Sequence, residues 1–262
     1  MRKLLAMGIG ALLWSVASLA FAYPTLVGPT GGATLPTGDI TPSRIDVAGD
    51  FYDTTGQQTY PVRGLFSYGS WELGGAYTFN RADNVWGVNG KYNFPIGGHP
   101  DFALGAIYTQ QQHTDVNATS VYLVHTHPFS GGHMAMTQMA NPTGLRGNIG
   151  IDWTSVDFKP GTHTALRAFI GADYTFADRL SIAAEYQTKS GRLREDRALS
   201  SLVVRYPFSA LLGAEVGVSN VSPLGLFGGD DHRLFAGINI TFGGSAGAAT
   251  SSTGMPMTPS RY

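Results

Sequence analysis

The 262-residue chain contains no cysteine, which removes disulfides, thiol chemistry and lipidation at an N-terminal cysteine. Charge is scarce as well. Asp, Glu, Lys and Arg make up 13% of the residues, and the net charge is −1, against about 25% charged residues in ordinary soluble domains. So little net charge gives no reason to expect nucleic acid as a partner. Beyond the first 22 residues no apolar run approaches the roughly 20 residues a membrane helix needs. Helical periodicity is scarce too: few segments repeat apolar residues every three to four positions.

Glycine and aromatic side chains are abundant instead, with 35 Gly, 14 Phe, 12 Tyr and 4 Trp. The first 22 residues have the form of a secretory signal peptide. Arg2 and Lys3 precede a small, apolar stretch, and "AFA" (Ala20 to Ala22) offers a cleavage site before Tyr23. An exported chain with few charges, no disulfides and no spanning helix must place its apolar surface somewhere other than a large soluble core.

Period-two alternation predicts that place. Twelve strands are expected near 44–54, 60–68, 71–80, 84–94, 101–111, 118–128, 145–155, 164–176, 178–188, 198–207, 209–219 and 232–242, separated by Gly, Asn, Asp or Pro. Most are about ten residues long, the length a tilted strand needs to cross a bilayer. In "WELGGAYTF", Trp71, Leu73, Tyr77 and Phe79 share one face, with Glu72, Gly74, Ala76 and Thr78 on the other. "VWGVNGKYNF" and "LRGNIGIDW" repeat the pattern, with aromatics gathered at the strand ends as in interfacial girdles. A soluble β-sandwich also alternates, but its polar faces are richer in Lys and Glu than these.

The connections support a barrel. "SYGSWEL", "YTFADRL" and "RYPFSAL" are tight, whereas links around Gln57, Gln111, Gly161, Arg192 and Gly228 are expected to be longer and to share the opposite, extracellular side. The predicted fold is therefore all-β, a 12-stranded antiparallel up-and-down transmembrane barrel over 44–242. It follows the signal peptide (1–22) and a Gly/Pro-rich segment (23–43) that is either a plug or a lead-in. A tail of disordered composition (243–262) follows it.

At this point the chain resembles bacterial porin-like outer-membrane β-barrels. "INITF" is similar to the aromatic-ended last strand by which such barrels are recognised for insertion, with Phe242 as the terminal aromatic. "VGPTGGATLPTGDI" (Val27 to Ile40) resembles the Pro- and Gly-rich lead-in of some of them. The resemblance implies an outer-membrane location, with membrane lipids and, during insertion, the barrel-assembly machinery as partners.

The alternation assigns Arg44, Arg63, Lys91, Arg146, Arg167, Arg179 and Arg205 to the lumen, with Asp46, Asp50, Glu72, Asp152, Asp173, Glu185 and Glu215. Confined charges are costly unless paired, so the balance predicts cross-lumen bracing, with a narrow, weakly selective pore as the functional counterpart. His125 and His127 are expected to face the lumen. With His133, Met134, Met136 and Met139 they carry soft and imidazole donors that suit Cu(I), although interfacial His and flexible Met in an ordinary loop are the stronger account. No Ser–His pair stands out for nucleophilic catalysis, and no cofactor is expected. The readings are thus a passive small-solute pore or structural envelope protein, then a lipid-modifying barrel enzyme or a secreted β-sandwich binding protein.

Overall fold

The computed structural model describes residues 23–25, 30–31, 34–37, 44–54, 57–81, 83–96, 99–129, 144–158, 161–176, 180–193, 197–209, 211–222, 225–226 and 228–243. Two two-residue strands come first, β1 (Tyr23–Pro24) and β2 (Thr30–Gly31), paired antiparallel. Twelve longer strands follow. They are β3 (Arg44–Thr54), β4 (Gln57–Tyr68), β5 (Trp71–Asn80), β6 (Val85–Ile96), β7 (His99–Gln111) and β8 (Asn117–Pro128). The second half comprises β9 (Gly144–Asp157), β10 (Thr162–Thr175), β11 (Ser181–Gln187), β12 (Leu199–Pro207), β13 (Leu212–Val221) and β14 (Gly228–Gly243).

Each long strand pairs antiparallel with its sequence neighbours, and β14 pairs with β3, from Leu234↔Asp53 to Gly243↔Arg44, so the sheet closes into a barrel. Closure leaves no unpaired edge. The sandwich alternative is thereby overturned. All twelve expected strands are present, and Phe242, opposite Ile45, ends the regular alternation of the last one.

The two faces separate cleanly. Ile45, Phe66, Leu73, Ile149, Leu166, Val216 and Ile238 point outward and are exposed, a continuous apolar band for lipid. Aromatic girdles bound it. At the rim carrying Arg44 and Gly243, ring contacts run Trp71–Tyr92 (4.6 Å), Tyr92–Phe94 (6.4 Å), Phe94–Phe102 (6.3 Å) and Phe102–His125 (4.3 Å). At the distal rim Phe51–Tyr60, Tyr77–Phe79 and Trp86–Tyr108 form the second belt.

His125 and His127 belong to the first belt. This corrects the expectation that they face the lumen: on β8 the buried residues are Ala118, Ser120, Tyr122, Val124 and Thr126, so the odd-numbered residues point to lipid. His125 stacks on Phe102, and His127 meets Phe129 edge-on at 5.1 Å. An imidazole is amphipathic enough for an interface, so its polarity did not mark the inner face.

The connections differ from expectation in two places: the β9–β10 link at Gly161 spans only 158–161, no longer than the predicted tight links 176–180 and 208–211, and the β3–β4 link is shorter still. β4 begins at Gln57, three residues early, so the β3–β4 link spans only two residues and is not long. On the terminal rim Gly69, at φ +58°, opens the two-residue β4–β5 turn in the left-handed region that glycine occupies without strain.

Candidate functional site: a braced lumen and its inserted segment

Inside the barrel the strands turn two kinds of surface toward each other. Over β7 to β12, Ile107, Ala118, Tyr122, Val124, Val156, Phe169 and Val203 form an apolar wall, joined from the ends by Leu35, Leu193, Leu199 and Leu226. Nothing in the alternation marked these inner positions as apolar, because a polar lumen and a packed one share the same period. Aromatic rings settle over glycines on the neighbouring strand. Tyr122 lies opposite Gly105, Phe169 opposite Gly150 and Phe235 opposite Gly217, and a Cβ on any of these glycines would collide with the ring.

The remaining wall carries the charges in interlocked groups. Arg63 of β4 reaches past β3 and β14. Its Nη2 lies 2.5 Å from Asp50 Oδ2 and donates to Glu215 Oε1 at 2.8 Å. Arg205, the register partner of Glu215, donates from Nε to its other oxygen at 3.0 Å. Gly237 stands opposite Asp50, and the missing side chain leaves room for that carboxylate. Asp152 accepts from Arg167 Nη2 (2.6 Å), Ser120 (3.2 Å), Thr154 (2.5 Å) and Gln187 Nε2 (3.0 Å). Lys91 lies 3.3 Å from Glu72, and Arg146 Nε donates to Asp173 at 2.8 Å. Asp46 accepts from Thr241 at 2.6 Å. Of the remaining lumen candidates, Arg44 begins β3 opposite Ser67 and Gly243, while Arg179 lies outside the described residues.

Charges taken out of water in this way need their lone pairs and protons satisfied. Here five cations meet carboxylates, and neutral hydroxyls and amides complete the shells. Such pairs hold neighbouring strands in register and reduce the field that a passing ion would meet.

The N-terminal segment enters this lumen. Thr25, Gly31, Thr34, Leu35, Pro36 and Thr37 are all buried. Glu185 of β11 accepts from the backbone N–H and the hydroxyl of Thr34, both at 2.8 Å, and from the N–H of Leu35 at 3.3 Å. Thr34 Oγ1 also meets Ser201 Oγ at 3.1 Å. Arg205 Nη1 donates to Gly31 O at 3.1 Å, and Lys91 Nζ to Thr37 O at 3.3 Å. A loop backbone buried in a barrel must find partners for its amides and carbonyls, and the wall's charged side chains supply them.

Two features bear on other chemistry. Among the described residues no group of three or more His, Cys, Asp or Glu could hold a metal, and His133, Met134, Met136 and Met139 lie outside them. Sequence reasoning missed a Ser–His contact on the outer face near the distal rim, where Ser200 Oγ lies 2.8 Å from His232 Nε2. The nearby Asn220 amide is engaged with Ser200 N, Ala198 O and Gly229 O, so it does not orient the imidazole. The expectation that no Ser lies at a convincing cross-strand position is corrected by this contact, which has no third member among the described residues.

A closed antiparallel barrel of twelve strands, with an apolar outer band, two aromatic girdles and a polar, charge-braced interior, is an outer-membrane β-barrel. Solved structures place it more closely. The chain is similar to the KdgM porin, at 14% identity and a TM-score of 0.53, with 76% of this chain and 99% of that one covered. It is also similar to the NanC porin, at 9% identity and a TM-score of 0.57, with 75% and 98% covered. The first is known in a further structure "in complex with disordered oligogalacturonate". Identities this low establish a shared barrel fold. No protein-family model and no curated protein matches the sequence.

Proposed function

We propose that this barrel is a narrow, passive channel for small solutes across the outer membrane, with residues 23–37 acting as an inserted segment that restricts its lumen. The distal rim, with loops 80–85, 111–117 and 187–199, faces the cell exterior, and the terminal rim faces the periplasm. The observation that carries the reading is the hold of Glu185, Arg205 and Lys91 on the Thr34–Leu35, Gly31 and Thr37 backbone. Glu185, whose hydrogen bonds here all come from Thr34 and Leu35 of the segment, can exchange them for water or solute.

The lumen charges that best qualify as lining residues are Lys91, Arg146, Asp173, Arg167, Glu185 and Arg205. Their cations already meet carboxylates, apart from the share given to the segment, so the described residues offer no continuous cationic track and a polyanionic solute is not proposed. Phe242, at the end of the closing strand, is the aromatic that assembly machinery would read. No catalytic role is proposed.

The apolar wall of Tyr122, Val124, Phe169 and Val203 favours a second reading, a closed barrel with a structural role in the envelope. Planar-bilayer recording separates the two. Discrete openings that grow when residues 23–43 are deleted support the channel. No current, with or without that segment, overturns it.

A further inference from the structure

Near the distal rim a cavity open to solvent, about 590 Å³ with its mouth included, lies between Val221, Ser222 and Gly225 at the end of β13 and beyond it, and strands β4 to β7. Its lining is chemically uneven. Tyr52, Pro61, Ala76, Val85 and Val221 supply apolar surface, and one cation, Arg233, reaches in from β14. Unlike Arg63, Arg167 and Arg205, Arg233 meets no carboxylate among the described side chains.

Three further polar atoms in the lining are buried with no hydrogen-bond partner in the protein: Tyr52 Oη, Thr109 Oγ1 and Ser222 Oγ. A buried hydroxyl left unpaired is costly, and three such groups belong to residues lining this one cavity. Elsewhere in the lumen Arg63, Lys91, Arg146, Arg167 and Arg205 each meet a carboxylate. Among the described residues this cavity holds both a cation that meets no carboxylate and hydroxyls without partners.

We propose that the cavity is a binding site for a small organic monoanion, a carboxylate on a single apolar ring. The guanidinium of Arg233 pairs with the carboxylate, for which its planar fork is suited. The apolar wall covers the ring, and the three hydroxyls take any further polar substituent. A polyanion does not fit, since only one cation faces the cavity among the described residues. A neutral sugar leaves Arg233 unanswered and gains little from Val85 and Val221. The proposal extends the channel reading by naming the solute class its outer mouth accepts, but the site stands on the barrel alone.

The test is calorimetric titration of the folded full-length barrel in detergent with benzoate, benzyl alcohol and acetate. Benzoate binds saturably, and benzyl alcohol and acetate bind at least about tenfold more weakly, because each lacks one half of the match. Arg233→Gln lowers benzoate affinity by at least about tenfold, while Arg192→Gln, at an exposed distal-loop position, leaves it unchanged. Heat-modifiability on an unboiled gel shows that both variants are folded. Unchanged benzoate affinity in Arg233→Gln, or benzyl alcohol binding equal to benzoate, overturns the site. A barrel that binds benzoate yet passes no current loses the channel and keeps the site. One that conducts without binding benzoate does the reverse.

Discussion

Glu185 holds Thr34 by two hydrogen bonds of 2.8 Å, one from its backbone N–H and one from its hydroxyl. A carboxylate on the barrel wall thus does for a loop what a neighbouring strand does for an edge. Hydrogen bonds to a charged group contribute roughly 1.5–3 kcal/mol each. Glu185→Ala should therefore loosen residues 23–37 without opening the barrel. Limited proteolysis from the periplasmic side should cut the N-terminal segment faster in the variant, and its mean conductance should rise. Identical cleavage and conductance in variant and wild type would refute the restriction.

The glycine–aromatic pairs make a contrast available within one protein. A Cβ at Gly217 would meet the Phe235 ring, whereas at Gly49 and Gly64, on the outer face, it would meet nothing within 4 Å. Gly217→Ala should destabilise the barrel by about 1–3 kcal/mol, the usual cost of overpacking, and Gly49→Ala should be near neutral. Adding Phe235→Leu should recover part of the loss at Gly217. Urea unfolding followed by tryptophan fluorescence measures all three.

Arg63 sits between two carboxylates, Asp50 and Glu215, so removing it leaves acids facing each other in a dry site. Arg63→Met should cost about 3–5 kcal/mol, as expected for breaking a buried pair. The companion Asp50→Asn in the same chain should restore much of it, since Glu215 keeps Arg205. A double variant no more stable than the single one would show that Arg63 acts through packing and not through charge.

Outside the barrel wall, Asp83 ties two distal loops together. Burial raises its carboxyl pKa, but hydrogen bonds from the His113 ring and amide and from the Thr114 hydroxyl and amide outweigh this and hold it below its ordinary 3.8. A depressed folded pKa gives stability that is fully present above the unfolded value and is lost as pH falls through the folded one. Amide exchange at His113 and Thr114 should stay slow from neutral pH down to about 4, then quicken in stronger acid. Asp83→Asn should make both amides exchange fast at neutral pH.

The Ser200–His232 contact invites a test of catalysis. Nucleophilic activation needs a base that a third group orients, and the described surroundings of His232 provide none. The purified barrel should release no fatty acid from phospholipid vesicles, and Ser200→Ala should change nothing. Release that disappears in Ser200→Ala would make the barrel an enzyme.

How much of this was readable in the chain follows from what each feature depends on. Strand position and face were legible wherever small polar and large apolar residues alternate, as from Trp71 to Phe79, because a one-residue slip would put Glu72 in lipid. The phase failed at His125 and His127. An interfacial imidazole suits either face, and what set the phase was Tyr122 packing over Gly105 on another strand. The lumen charges were legible as residues but not as partners, since Arg63 and Glu215 are 152 positions apart. The place of the N-terminal segment left no periodic trace, because its backbone bonds go to side chains. The cavity around Arg233 was illegible for a related reason: its hydroxyls, on Tyr52, Thr109 and Ser222, are distant in sequence.

The seam between β3 and β14 has a further consequence. The first long strand finds its second partner only when residues 234–243 exist, so no stretch of the growing chain can complete the cylinder ahead of its end. Long-range pairing of this kind is slow, because the entropy of closing the loop is lost before the contacts that compensate it form. Until then β3 and the newest strand are two complementary sticky edges, as ready to meet the same edges on another molecule as each other. A chain cut short before Arg233 therefore becomes something other than a smaller barrel: an open sheet whose natural completion is a second copy of itself.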